Sequence, residues 1–264
     1  MRQCYLSEVM VVILCIAYFF VLVLLSTYGL HRLHLVMLCR RHKDKIAAVA
    51  ELAQRRAPAA GISGVSELGP KVTIQLPIFN ESTVVVRLLD EVAKMDYPRE
   101  LLEIQVLDDS IDETQGIARA AVDRLKAQGI DAVYIHRTDR MGYKAGALDN
   151  GMKVAKGELL AVFDADFLPR SDFVRELVGH FADPKVAMVQ TRWAHLNRDV
   201  SFLTRVQALM LDGHHMVENR ARYGAGLLFN FSGTGGMWRK VAIVDAGGWQ
   251  HDTITEDLDL SYRA

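Results

Sequence analysis

Leu159-Leu160-Ala161-Val162-Phe163-Asp164-Ala165-Asp166 decides how this chain is read. The apolar run suits a buried strand, and it ends in two carboxylates separated by a single alanine. Open α/β sheets bind ligands beyond the carboxyl ends of their strands. Carboxylates at such an edge suit a hard divalent cation, which prefers oxygen donors and often shares them with substrate phosphates. Asp-x-Asp alone is expected on the order of once by chance in a chain of this kind. A second copy, Asp257-Leu258-Asp259, is present, so the surrounding pattern has to carry the argument.

Upstream of that run, strands alternate with helices. Val72 to Leu76 reads as a strand stopped at Pro77, and Asn80 as the cap of a helix that places Val84, Val85, Leu88, Leu89 and Val92 on one face. Tyr97-Pro98 ends that helix. Ile104 to Leu107 is the next strand, closed by Asp108-Asp109-Ser110. A helix from about residue 113 to 128 stops at Gly129, a strand covers Ala132 to Ile135, and a third helix covers Lys144 to Ala155. This spacing indicates βαβ units, an α/β fold and a parallel sheet. The second half is less regular. Val186 to Gln190 reads as a strand with its partner near Leu227 to Phe231, and residues 200 to 222 as one long helix. Gly233 to Gly236 is a flexible turn, Gly247-Gly248-Trp249 a break, and Thr255 the cap of a last helix from Glu256.

The 264 residues are half hydrophobic with a net charge of −1, and the apolar surplus lies at the N-terminus. No basic patch interleaved with aromatic residues is present, which argues against a nucleic-acid partner. Cys4, Cys15 and Cys39 are the only cysteines, which is neither a disulfide framework nor a zinc site and fits a reducing compartment. After a tail of residues 1–8, residues 9–30 carry no charge and suit one membrane-spanning helix. The run is too long for a signal peptide, Glu8 interrupts the leading segment, and no small-x-small site follows. Arg32, Arg40, Arg41, Lys43 and Lys45 follow the helix, so the positive-inside rule puts the rest of the chain in the cytoplasm. Residues 31–70 form a basic juxtamembrane segment and then a linker with Pro58, Gly61, Gly64, Gly69 and Pro70. The globular domain spans residues 71–264.

Three acidic clusters follow strands or open helices: Asp108-Asp109, Asp164 with Asp166, and Glu256-Asp257. In a parallel sheet the first two share one edge. That suits a nucleotide held through a metal, with one carboxylate left for an acceptor. A turn or helix cap would also explain Asp108-Asp109. Lys144 brings a cation to a helix N-terminus, where anions are favoured. The His214-His215 pair reads as structural or acceptor-lining, since neighbours on a helix do not face one ligand. A dinucleotide-binding enzyme needs Gly-x-Gly-x-x-Gly after the first strand, whereas Pro77 to Glu81 contains no glycine. An aspartate-nucleophile phosphatase has Thr or Val two residues after its Asp-x-Asp, where this chain has Leu168, and leaves the other clusters unexplained. So does a membrane scaffold.

Seven segments, in order, resemble the processive, membrane-bound glycosyltransferases of family 2, in the cellulose-synthase-like branch that includes mannan and glucan synthases. They are Gln75 to Glu81, Leu107 to Ser110, Gly142 to Leu148, Phe163 to Asp166, Gln190 to Trp193, Phe231 to Gly236 and Thr255 to Asp257. The resemblance implies a GT-A fold with a mostly parallel central sheet. It also implies inverting transfer from a nucleotide-sugar of UDP-glucose or GDP-mannose type to a growing β-glycan or glycolipid. It would give Glu81, Asp108 and Asp109 to the base and ribose, without dividing the aspartates' roles, and Lys144 to the diphosphate. Asp164 and Asp166 would bind Mg²⁺ or Mn²⁺ and through it the diphosphate, and Asp257 would be the general base. Two departures stand out. Many members have Thr-Tyr where this chain has Ile78-Phe79. The family also continues past the base with Gln-x-x-Arg-Trp and more membrane helices, so the chain reads as truncated at its C-terminus. A catalytically inactive, membrane-anchored nucleotide-sugar binder is the alternative.

Overall fold

The computed structural model describes residues 2–56 and 69–264. Two helices come first, α1 (Arg2–Arg41) and α2 (Lys43–Arg56). α1 therefore runs well beyond the charge-free stretch, and the juxtamembrane residues continue it instead of breaking it. From Met10 to Arg41 it is the one helix among the described residues long and apolar enough to cross a membrane. Those 32 residues extend about 48 Å at the helical rise, against a hydrocarbon core of about 30 Å. The expected linker falls largely on residues outside the described ones. Its end does not behave as one, because Gly69 and Pro70 are buried and the Tyr97 hydroxyl donates to the Pro70 carbonyl at 2.6 Å.

The sheet follows. β1 (Val72–Ile78) leads to α3 (Val85–Val92), β2 (Leu102–Asp108) to α4 (Thr114–Ala127), and β3 (Ala132–His136) to α5 (Tyr143–Val154). β4 (Leu159–Val162), α6 (Phe173–Val178) and β5 (Met188–Gln190) come next. A long helix begins as α7 (Phe202–Asp212), passes through a π-helical stretch at Gly213–Asn219, and finishes as α8 (Arg220–Ala225). β6 (Gly236–Arg239), α9 (Lys240–Asp245) and α10 (Glu256–Arg263) complete the chain. The strand order is β3-β2-β1-β4-β6-β5. β1 to β4 are mutually parallel, and β6 is antiparallel to both neighbours. Every residue of β1, β2 and β4 is buried, as befits strands covered on both faces. One core layer packs α3, α4 and α6 on the sheet through Leu88, Leu89, Val122 and Phe163; the other packs α5 and α9 through Leu148, Phe231, Trp238 and Ile243. Each such side chain contributes about 1.5–3 kcal/mol by leaving water.

Four local expectations are corrected. Pro77 does not stop β1 but lies inside it, opposite Leu107 of β2. Residues two apart in a strand point their backbone groups to the same side, and the Gln75 carbonyl, accepting from Phe163 N–H, marks that side as β4's. β4 ends before Pro77, so its missing N–H leaves no partner wanting. Asn80 does not cap α3; at φ 56° it takes the left-handed conformation, its Oδ1 accepting from Ile111 N–H at 3.0 Å while its own N–H donates to Ser110 Oγ at 2.8 Å. β5 pairs with β6, not with Leu227 to Phe231, because Gly236 to Arg239 leaves its glycine turn as a strand between β4 and β5. Thr255 precedes α10 without a side-chain capping bond.

Candidate active site

β1 and β4 are adjacent in the sheet and far apart in sequence, so the chain leaves in opposite directions from their carboxyl ends and opens a crevice there. Asn80 ties the end of β1 to the end of β2 through the two bonds above. Glu81, half-buried at the same turn, accepts from Val84 and Val85 N–H through its carbonyl. Asp108 is fully buried. Its Oδ1 accepts from Ser110 N–H at 2.8 Å and its Oδ2 from the Tyr134 hydroxyl at 2.6 Å. Burial, and then this carboxylate, push the Tyr134 phenol well above its usual range. Asp109 forms a two-pronged ion pair with Arg137 through Nε and Nη2. The Arg140 guanidinium lies 3.2 Å from the centroid of the Phe79 ring and 5.1 Å from that of Tyr143.

Across the crevice, Lys144 enters from the first turn of α5, ion-pairs with Asp164 and donates to the Gly233 carbonyl at 2.9 Å. Gly233 sits at φ 79°, and a Cβ built on it would lie 3.2 Å from Asp257 Oδ2 and 3.5 Å from Lys144 Nζ. One glycine thus adjoins an ammonium and carboxylates that come from the start of α5, the end of β4 and α10, and its left-handed backbone disfavours any larger residue there. Asp164 N–H donates to Thr234 Oγ1 at 2.8 Å, which locks β4's end to the same loop. Burial raises the Asp164 carboxyl above the ordinary range; Lys144 opposes this, while Asp166 and Asp257 add to it. Asp166 is exposed. Asp257 uses Oδ1 for Leu258 N–H at 2.8 Å. Asp259, the last residue of the second Asp-x-Asp, is held by Arg263, which also binds the carbonyls of Ala246 and Gly248. The two Asp-x-Asp motifs therefore differ: both carboxylates of the first belong to one charge cluster, to which the second contributes Asp257 alone.

Among the described residues, no three His, Cys, Asp or Glu side chains form a ready-made metal cage. The donor set at β4's end still fits a divalent ion of the Mg²⁺ or Mn²⁺ kind, since Asp164 and Asp166 offer hard oxygens and repel one another until a cation joins them. Beside the Asp109–Arg137 pair, a cleft of about 520 Å³ lies along α5 between Arg137, Asp149, Asn150, Lys153, Trp249 and His251.

A second wall comes from residues whose convergence the sequence did not reveal. Trp193 Nε1 donates to the Thr234 carbonyl at 3.0 Å, and its ring meets Phe167 at 6.2 Å and His215 at 5.4 Å between centroids. His215 is buried in the π-helical stretch. Burial, helped by His214 and Arg192, pushes its imidazole down to about 4. Its Nε2, the Asn219 Oδ1 and the Ser232 Oγ are buried without partners. The extra residue in a π turn rotates this face by a fraction of a turn, so the helical spacing of residues 200 to 222 misplaces it. Arg137 was also missed, although a cation directly after β3 and level with Asp109 is a readable signal.

The family model for glycosyl transferase family 2 matches residues 73–244. The chain belongs to glycosyltransferase family 2. Within it, the chain is similar to glucomannan 4-beta-mannosyltransferase 2 of Arabidopsis thaliana, with 41% identity over 200 residues, 74% of this chain and 38% of that protein. Glucomannan 4-beta-mannosyltransferase 1 of Oryza sativa subsp. japonica is 40% identical over the same length and shares. The chain thus spans about two fifths of the length of the curated relatives it matches. Among solved structures, mannosyltransferase PcManGT from Pyrobaculum calidifontis, in complex with GDP-Man and Mn²⁺, superposes with a TM-score of 0.57 at 24% identity, covering 87% of this chain and 62% of that one. S. aureus TarS 1–349 in complex with UDP-GlcNAc gives 0.53 at 16% identity, covering 74% and 53%. The family 2 chain has the GT-A architecture that these neighbours share.

Proposed function

We propose that this chain is the catalytic portion of a membrane-anchored, inverting hexosyltransferase acting on a nucleotide-diphosphate sugar. The observation that carries the reading is the meeting of Lys144, Asp164 and Asp257 around Gly233. Asp164 and Asp166 would hold Mg²⁺ or Mn²⁺, which when bound neutralises charge growing on the leaving diphosphate. Lys144, already at the N-terminus of α5, supplies a second positive charge to the same oxygens. Asp109 with Arg137, and Phe79 with Arg140, frame the nucleoside end, while Asp108 holds Tyr134 and Ser110 in place from below. Glu81 stands at the same end. Asp257 accepts the proton of the acceptor hydroxyl as that oxygen bonds to the anomeric carbon and the bond to the diphosphate breaks on the opposite side. Trp193 and His215 offer rings to a sugar acceptor, and Asn219 a polar group, in keeping with a growing β-glycan or a glycolipid. The relatives' names favour a mannose donor over a glucose one. α1 would be the anchor, and the basic residues after it favour a cytoplasmic catalytic face.

Calorimetry with GDP and UDP, each with and without Mn²⁺, tests the reading on the whole chain. Mn²⁺-dependent nucleotide binding that Asp166→Ala removes supports it. Folded protein that binds neither nucleotide under any metal condition overturns it. Metal-dependent binding without sugar transfer, in a polypeptide carrying the relatives' full length, favours the inactive binder.

A further inference from the structure

Arg137 reaches in two directions from the end of β3. Towards the nucleoside end, Nε donates to Asp109 Oδ1 at 2.8 Å and Nη2 to Oδ2. Towards the turn that leads into α5, Nη1 donates to the Met141 carbonyl at 3.2 Å and Nη2 to the Tyr143 carbonyl at 3.0 Å. The second of these carbonyls belongs to the peptide that joins Tyr143 to Lys144. A single planar group therefore bonds both the carboxylate after β2 and the backbone that carries Lys144. A lysine has no such fork and could serve only one side at a time.

The turn gives these bonds something to hold. Gly142 and Tyr143 are consecutive left-handed residues, at φ 74° and 46°. Glycine takes that conformation freely, whereas a tyrosine is strained in it and keeps it only where its surroundings over-determine the backbone. The Tyr143 ring is 67% exposed and supplies little of that restraint. The backbone supplies it instead: Tyr143 N–H donates to the Arg140 carbonyl at 3.0 Å, and Arg137 takes the carbonyls of Met141 and Tyr143 on either side of Gly142. Gly146, one turn into α5, leaves room for the guanidinium. A Cβ there would stand 2.7 Å from Arg137 Nη1 and 2.1 Å from the Met141 carbonyl oxygen. Fork, space and strained backbone thus agree on one arrangement.

We infer that Arg137 is a positioning residue: it fixes the span between Asp109 and Lys144, and with it the distance at which a nucleoside and its second phosphate are held. The inference rests on the proposed function, in which Asp109 meets the nucleoside and Lys144 the diphosphate. Each Asp109 oxygen has a further lone pair, so a ribose or base can donate to it without displacing the guanidinium. The Lys144 side chain is long and rotatable, so the reach of its ammonium is set by where its backbone starts. A chain without the fork still recognises a nucleoside and loses selectively what the second phosphate adds.

Calorimetry on the whole chain with Mn²⁺ compares GDP with GMP, and UDP with UMP. The ratio of diphosphate to monophosphate affinity measures what the second phosphate adds. In Arg137→Lys that ratio is expected to fall at least about tenfold, with monophosphate affinity changing less than about threefold. Adding Tyr143→Gly to that variant should recover at least about fivefold of the ratio, since glycine holds the left-handed turn unaided. Gly142→Ala leaves Asp109 and Arg137 in place and strains the turn, so it should lower the ratio in the same selective way; it decides the matter alone if Arg137→Lys does not fold. Equal losses for monophosphate and diphosphate would make Arg137 a nucleoside contact only and overturn the inference. An unchanged ratio in Gly142→Ala, or no recovery from Tyr143→Gly, overturns it too. If the native chain binds none of these nucleotides, the functional reading falls and this inference with it. A native preference for the diphosphate that the variants leave intact sinks the Arg137 inference alone.

Discussion

Two walls face the same crevice and are made in different ways. The rim formed by the ends of β1, β2 and β4 is stiff and its carboxylates are paired: Asp108 has two partners, Asp109 a two-pronged arginine, and Asn80 stitches one strand end to the next, while Gln75 Oε1 and Gln105 Nε2 lie unpartnered deeper in the strands. The opposite wall, of Trp193, His215 and Asn219, rests on a π-helical stretch and keeps buried polar atoms without partners. A site that must present one nucleotide diphosphate gains from a preorganised edge. A wall that receives a sugar chain needs hydrogen-bonding groups that stay available until the ligand arrives. The contrast suggests where each kind of perturbation will act.

The largest expected effect breaks the chemistry and leaves the stiff edge intact. Asp257→Asn, in a polypeptide competent for transfer, should lower kcat by about 10²–10⁴-fold, with nucleotide affinity measured by calorimetry unchanged. A loss of nucleotide affinity instead would move Asp257 into the donor side. Next, Phe163→Ala empties a fully buried ring position between Phe167 and Phe173 on the stiff side. It should cost about 3–5 kcal/mol in denaturant unfolding, and a cost below about 1 kcal/mol would show that this edge is less tightly packed than its burial implies.

The softer wall gives smaller and pH-dependent effects. His215 titrates near 4 in the folded chain against 6.5 for a free imidazole, so the unfolded chain takes up the proton first. Its contribution is complete above pH 6.5 and is lost as pH falls towards about 4. His215→Gln should flatten this part of the melting-temperature profile relative to the native chain, and parallel profiles would show that the imidazole is not held neutral. The smallest effect is expected from Asn219→Leu, which removes an unpartnered buried acceptor. Unfolding free energy should stay within about 1 kcal/mol of the native value or rise, while acceptor KM increases. A marked loss of stability would mean that Asn219 is a structural residue.

The same contrast explains what could be read in advance. The βαβ half follows from apolar runs ending in carboxylates, and the strands at Val72, Ile104, Ala132 and Leu159 begin within two residues of their expected positions. Pro77 misled because a proline is harmless where the neighbouring strand has already ended, which depends on register and not on local pattern. The meeting of Lys144, Asp164 and Asp257 was legible only by analogy with a family, since three separate elements supply it. Arg137 stayed hidden because an ion pair across strands fixes it; the His214-His215 pair was read as structural or acceptor-lining, but the meeting of His215 with Trp193, in the loop after β5, depends on a departure from the regular helix. β5 was paired with the wrong segment because Gly233 to Gly236 looks like a loop on both sides, and only the sheet's register makes its last residue a strand.

The placement of β6 has a consequence for how the chain is made. β4 carries the first Asp-x-Asp, yet the strand that covers its outer edge is synthesised only after β5, α7 and α8. During translation at about 5–20 residues per second, Leu159 to Val162 offers an apolar, unpaired edge for several seconds. An early chain stop would lengthen that interval and favour edge-to-edge association of nascent chains.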